Sequence, residues 1–202
     1  MRPDLEIIQN WILPSSRVLD LGCGDGTLLG YLAAEKNVKG IGIEIDPSKI
    51  EACIRRGVNV IEQNIDFGLV NFQTGSFDTV LLAQTLQASS KPDLLIDEML
   101  RVGKNGIVTF PNFGNWKSRL NLVNRGRMPV SKYIPHQWYN TPNIHLCTVK
   151  DFDALCLEKD IQVLAKTVVD SQHQGNWAMK AWPNFLGEVA IYHLTKTRGE
   201  AG

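Results

Sequence analysis

The sequence predicts an α/β fold: a mostly parallel sheet with helices on both faces. Short apolar runs alternate with helix-length amphipathic stretches over roughly the first hundred residues, and the first run feeds a glycine-rich turn, VLDLGCGDG, from Val18 to Gly26. Strands separated by helical crossovers run parallel and need helices on their faces. With 202 residues, 44% of them hydrophobic, the chain has the size of a single domain spanning 1–202 with a substantial core.

Each element has its own signal. Leu5, Ile8 and Ile12 recur at helical spacing ahead of Pro14, which predicts a leading amphipathic helix stopped by the proline. Arg17 to Leu21 reads as a buried strand and Thr27 to Glu35 as the helix it feeds. Lys39 to Glu44 is a second strand, followed by a helix in which Asp46 caps, Pro47 suits the first turn and Gly57 suits the exit. Val58 to Glu62, Thr79 to Ala83 and Gly106 to Phe110 read as strands three to five, with a helix opening at Pro92 before the last. Val149 to Lys159 reads as a helix with Thr148 and Asp151 as a capping box. Ile161 to Val169 and Glu188 to Thr195 alternate like two closing strands, expected as a hairpin-like pair.

Between Asn112 and Thr148 that rhythm breaks into a long insert rich in Pro, Gly, Asn and aromatics, with at most one short helix around Lys117 to Val123. Connections this long are uncommon without a function, and its aromatics argue against disorder. Basic and acidic residues number 21 each, so net charge points to neither nucleic acid nor membrane. The charges are nonetheless uneven: from Met99 to Lys150 there is no Asp or Glu, while Arg101, Lys104, Lys117, Arg119, Arg125, Arg127, Lys132 and Lys150 are present. The insert is therefore expected to act as a lid or as a positive, aromatic-studded surface for an anionic substrate or acidic partner. A basic segment lying on the acidic part of its own domain is the alternative. The four cysteines form no CxxC pair or zinc pattern, and the acid-bearing N-terminal stretch is too short for a signal core or membrane span, so a reduced, cytoplasmic protein is expected.

The glycine loop does not fit a dinucleotide fingerprint. G-x-G-x-x-G would put its third glycine at position 27, which is Thr27; the spacing here is Gly22, Gly24, Gly26. With Asp20 two residues before the first glycine, it resembles motif I of class I S-adenosylmethionine-dependent methyltransferases. Glu44, ending the next strand, stands where a carboxylate accepts both ribose hydroxyls. S-adenosyl-L-methionine carries no phosphate, so Asp20 and Asp25 beside the loop are tolerable where a pyrophosphate would be repelled. The resemblance implies a site for S-adenosylmethionine or S-adenosylhomocysteine made by Asp20, Gly22, Cys23, Gly24, Gly26, Glu44, Ile45, Asn64, Ile65 and Ala83. In it, Asp20 attracts the ammonium group or, on the plainer reading, merely caps the glycine turn. Asn64 stands where an adenine-binding carboxylate is usual, with Asp66 as the alternative partner; Cys23 reads as a small apolar filler.

Three further segments, Ser76 to Gln87, Phe110 to Lys132 and Trp138 to Phe152, resemble hallmark stretches of the methionine biosynthesis protein MetW family. That resemblance implies a class I methyltransferase (Rossmann-like) fold with a mostly parallel seven-stranded sheet, and an association with a homoserine O-acyltransferase. Asn64 departs from the family's usual Asp. No catalytic signature is evident: the Asn/Asp-Pro-Pro-Tyr/Phe motif of amino methyltransferases is replaced by Ala83 to Gln87. His136, His145, Tyr133 and Tyr139 are the few candidate bases. A subunit supporting the acyltransferase is thus expected, with a small-molecule methyltransferase as the alternative; RNA methylation has only the basic insert behind it.

Overall fold

In the computed structural model, which describes residues 3–170 and 177–197, strand–helix alternation produces one twisted sheet. Its strands are β1 (Arg17–Leu21), β2 (Lys39–Glu44), β3 (Val60–Glu62), β4 (Phe77–Ala83), β5 (Gly103–Pro111), β6 (Ile161–Val169) and β7 (Val189–Lys196). Their order is β3-β2-β1-β4-β5-β7-β6, parallel except for β7, which is antiparallel to both β5 and β6. From β1 the chain winds outward to β2 and β3, then jumps back to β4 on the other side. The loop after β1 therefore opens at the point where the winding reverses, where ligands settle in open α/β sheets.

Helices cover both faces. On one, α1 (Pro3–Trp11), α2 (Thr27–Lys36) and α3 (Pro47–Arg55) supply Ile8, Leu29, Leu32 and Cys53, joined by Ile12 just after α1, to a cluster with Leu81, Ile107 and Ile191. Burying side chains of the size of Ile8 or Leu32 contributes about 1.5–3 kcal/mol each. Lys36 at the end of α2 donates to the carbonyls of Gln9 and Ile12, placing a cation on the last turn of α1. On the other face, α4 (Pro92–Val102) and α6 (Val149–Glu158) bury Ile96, Met99 and Phe152. There Phe110, Phe152 and Tyr192 form an aromatic centre with ring separations of 4.6–5.8 Å.

The structure adjusts several boundaries. β3 begins at Val60, not Val58, because the Val58 N–H closes α3 by bonding to Cys53 O. β4 and β5 start earlier than expected, at Phe77 and Gly103, where the Asp78 carboxylate accepts from Arg17 N and Lys104 Nζ and stitches three strand starts together. β6 and β7 do pair antiparallel, but no tight hairpin joins them. The intervening chain includes the short helices α7 (Trp177–Ala181) and α8 (Pro183–Leu186), which the sequence reading left unassigned.

The segment between β5 and α6 contains one helix, α5 (Trp116–Arg125), capped by Asn115, whose side chain accepts from the N–H groups of Lys117 and Ser118. The segment's ends meet: Asn112 and Cys147 form an isolated bridge, and Phe113 N donates to Cys147 O at 3.0 Å. Asn112 is the anchor. Its amide donates to Asn184 O (3.0 Å) and Gly187 O (2.7 Å) and accepts from Gly114 N (3.0 Å) and Val149 N (3.2 Å). Truncating it leaves several buried backbone groups unpaired, so Asn112→Ala is expected to lower unfolding free energy by about 2–4 kcal/mol in urea titration. A loss below about 0.5 kcal/mol would show that these groups re-pair without it.

Candidate functional site

The glycine loop lies between the end of β1 and the start of α2, and its backbone is left-handed at all three glycines: φ is 74° at Gly22, 59° at Gly24 and 74° at Gly26. Gly22 has a second constraint, since a Cβ there would lie 2.6 Å from Thr85 Oγ1 and 2.7 Å from Thr85 Cγ2. The turn after β4 is thus packed directly against the loop. Asp20, Gly22, Cys23, Gly24 and Ala83 share one cavity of about 260 Å³. Leu5, Asp25, Thr27 and Leu28 complete its walls.

Glu44 ties this loop to the end of β2. Its carboxylate is 6% exposed and accepts from Gly24 N (2.9 Å), Ile45 N (2.8 Å) and Asp46 N (3.1 Å). A carboxylate offers about four acceptor sites. Oε1 already takes two donors and Oε2 one, so one position on Oε2 is open. Asp20, at the end of β1, is 2% exposed. Asp25 points away from a ligand role: it accepts from the Thr27 hydroxyl and amide and from Arg56, and the Thr27 hydroxyl above all holds its carboxyl below the usual range. Together these contacts brace the loop against α2 and α3.

Cys23 is packed between Gly42, where even a Cβ would lie 2.3 Å from its sulfur, and Cys53, whose sulfur is 3.8 Å away. Burial, reinforced by Asp20, pushes its thiol well above the ordinary range and keeps it protonated. That chemistry suits a filler, not a nucleophile.

Gly26, Glu44, Ile45, Asn64 and Ile65 are not walls of the cavity; Glu44 meets it only through its bond from Gly24 N. Ile45 is exposed and follows β2; Asn64 and Ile65 follow β3, which pairs with β2 through Glu44 and Glu62. Asn64 Oδ1 accepts from Asp66 N and caps a short 3-10 turn, while Asp66 accepts from Ser89 Oγ and Ser90 N. Both side chains therefore already have local partners. None of His136, His145, Tyr133 and Tyr139 lines the cavity. His145 lines a separate apolar cavity with Gln87. A larger groove, about 970 Å³, opens along Arg17, Lys39, Gly40 and Arg56 and shares no wall with the loop.

Sequence reading missed Leu5 and Thr85. Leu5 was legible as an apolar position on an amphipathic helix, but only the packing of α1 brings it to the loop. Thr85 lies two residues past β4 and its side chain approaches Gly22, which no local pattern signals.

Three comparisons bear on this geometry. The family model "Methionine biosynthesis protein MetW" matches residues 2–194. A bifunctional methionine biosynthesis protein MetXA/MetW of Rhodopirellula baltica (strain DSM 10527 / NCIMB 13988 / SH1) is 37% identical over 157 residues, which is 73% of this chain and 25% of that protein. The chain thus spans about a quarter of the length of this curated relative. Among solved structures, an S-adenosylmethionine-dependent methyltransferase of Mesorhizobium loti superposes with a TM-score of 0.69 at 12% identity, covering 95% of this chain and 97% of that one. The cyclase SpnF gives 0.66 at 20% identity, covering 98% and 81%. These likenesses establish the class I methyltransferase fold, and the two neighbours' different descriptions show that this fold does not fix the chemistry.

Gly22→Ala tests how tightly the loop is specified. It is expected to cost about 1–3 kcal/mol of stability from the left-handed backbone plus the Thr85 overlap. Adding Thr85→Ala should recover only the overlap, giving a favourable coupling in a double-mutant cycle by urea denaturation. Additive losses would show that the two residues do not press on each other.

Proposed function

The chain belongs to the methionine biosynthesis protein MetW family, and from that premise we propose that it binds S-adenosylmethionine or S-adenosylhomocysteine at the glycine loop and serves as a sensing subunit of a homoserine O-acyltransferase. The observation that carries the ligand reading is the Glu44 carboxylate held beside a left-handed glycine loop with an acceptor position open. A ribose diol brings two donors to it. The first occupies the open position on Oε2; the second competes with Gly24 N for the same oxygen. Ligand arrival therefore loosens the tie between the glycine loop and β2, a local change that a bound partner can read. Asp20 faces the ligand's ammonium group, and the cavity offers no cationic wall for a phosphate.

Support for the partner comes from the Rhodopirellula protein, which carries MetXA and MetW in one polypeptide. The surface we assign to that contact is the end of α5 and the chain beyond it. Several basic residues of the acid-free stretch are answered within the domain: Arg101 by Glu98, Lys104 by Asp78 and Lys117 by Glu188. Arg125 and Arg127 have no ion pair among the described residues, and they flank an open groove with Met128 and Val130, next to Val123, which is 82% exposed. Unpaired guanidinium groups beside apolar side chains suit an acidic, partly apolar partner face. Small-molecule methyl transfer is the second reading. It needs only an acceptor placed in line with the methyl group, and the intact loop favours it; with no His or Tyr among the cavity walls, any general base there is one of the carboxylates Asp20 and Asp25. Among the described residues no helix is long and apolar enough to cross a membrane.

Calorimetric titration with S-adenosylmethionine should give saturable binding. Glu44→Gln should weaken it by about 1.5–3 kcal/mol, a tenfold or greater rise in Kd. No binding by the native chain removes both the sensing and the methyltransferase readings. Copurification with the acyltransferase, followed by acylation assays with and without this chain and its ligand, separates those two readings. Arg125→Ala with Arg127→Ala should weaken capture of the acyltransferase about tenfold or more, as expected for anchor arginines, without changing ligand affinity. Unchanged capture would place the contact elsewhere.

A further inference from the structure

On the far side of the turn after β4 lies a separate cavity of about 130 Å³, walled largely by Leu86, Phe110, Ile134, Leu146 and Phe152. It shares no lining residue with the glycine-loop cavity. Gln87 is among its walls and is 8% exposed. The Gln87 amide nitrogen donates to Gln84 O at 2.9 Å, which fixes the orientation of the group, since turning it over would set Oε1 against a carbonyl. Gln87 Oε1 is consequently a buried acceptor, and it accepts no hydrogen bond among the described residues. The backbone of the same residue holds the cover in place: its carbonyl accepts from Ile144 N (2.8 Å) and His145 N (3.0 Å). No Lys or Arg lines the cavity, and its one carboxylate, Asp151, is already engaged by Thr148. Anionic ligands thus find no permanent counter-charge there, His145 being the one wall able to take up a proton and turn cationic. What the walls fit is a neutral, compact aliphatic group carrying one hydrogen-bond donor.

The turn that forms this wall also forms part of the other site. Residue 84 has a left-handed backbone, φ 60°, Thr85 presses on Gly22, and Leu86 and Gln87 face the apolar cavity. We propose that this cavity is a second small-molecule site, taking a short aliphatic group that presents an O–H or N–H to Gln87 Oε1, and that residues 84–87 transmit its occupancy to the glycine loop. A ligand that reorients Gln87 disturbs its bond to Gln84 O and, through the same short turn, the contact of Thr85 with Gly22. Energetic coupling of this kind requires only that the turn respond differently to the filled and empty cavity.

The test is an NMR titration of the methyl- and amide-labelled full chain with 3-methyl-1-butanol and, in parallel, with its methyl ether, which keeps the shape but donates no hydrogen bond. Saturable shifts are expected at the methyl groups of Leu86, Leu146 and Leu155, with accompanying shifts at the amides of Thr85 and Gly22. The alcohol should bind about fivefold or more tightly than the ether, the worth of one hydrogen bond to a buried acceptor. Gln87→Met should remove that preference while retaining ether binding, and Leu146→Trp should block both ligands by filling the space. Linear, unsaturable shifts, or equal affinities of native chain for alcohol and ether, would overturn the site. Saturable shifts at the cavity with none at Thr85 or Gly22 would overturn the coupling. No S-adenosylmethionine is present, so the outcome is independent of the cofactor reading.

Discussion

The carboxylate of Glu44 holds together the end of the sheet on which the candidate site is built. A buried carboxylate is costly unless it is hydrogen-bonded, and here three backbone N–H groups satisfy it, one from the glycine loop and two from the chain just beyond β2. The loops after two neighbouring strands are thereby fixed relative to each other before any ligand arrives. The left-handed glycines permit the loop's path, but Glu44 selects it. Asp25 and Arg56 then brace the loop's outer side to α3, and Thr85 its inner side to the turn after β4. The result is a rim that its own contacts hold in one arrangement.

That rim depends in turn on where the sheet reverses its winding. β1 pairs with β2 on one side and β4 on the other, so the connections leaving these three strands converge. A long connection leaves the neighbouring strand β5, and Asn112 holds its two ends against α8 and the start of α6. The glycine loop and the long connection are therefore supported separately. One rests on a carboxylate, the other on a buried amide, and the turn at residues 84–87 is the short piece of chain adjoining both.

Much of this was legible in the sequence wherever the causes were local. The strand that opens VLDLGCGDG, the acidic end of β2, the Asp46 cap and the Thr148–Asp151 capping box all formed as their patterns predict. Boundaries shifted where distant contacts decide them, as with Asp78 reaching Arg17 and Lys104. The hub role of Asn112 was invisible because its partners lie more than seventy positions away, at Asn184 and Gly187. In the sequence Gln87 stands out only as the end of the stretch that replaces a methyltransferase motif. Its significance lies in a side chain that bonds to its own turn and leaves one buried oxygen unanswered. The basic stretch was visible as a run without acids, yet sequence did not show which of its cations find partners inside the fold.

The closure of residues 112–147 upon themselves has an evolutionary consequence. A connection whose two ends are clamped side by side contributes its length to the entropy of folding only weakly, since closure cost rises slowly with the number of residues enclosed. Such a segment can lengthen, shorten or change its surface over generations without disturbing the register of the strands beneath it. Within this architecture the clamped connection is the part whose length and surface can change at least cost to the sheet.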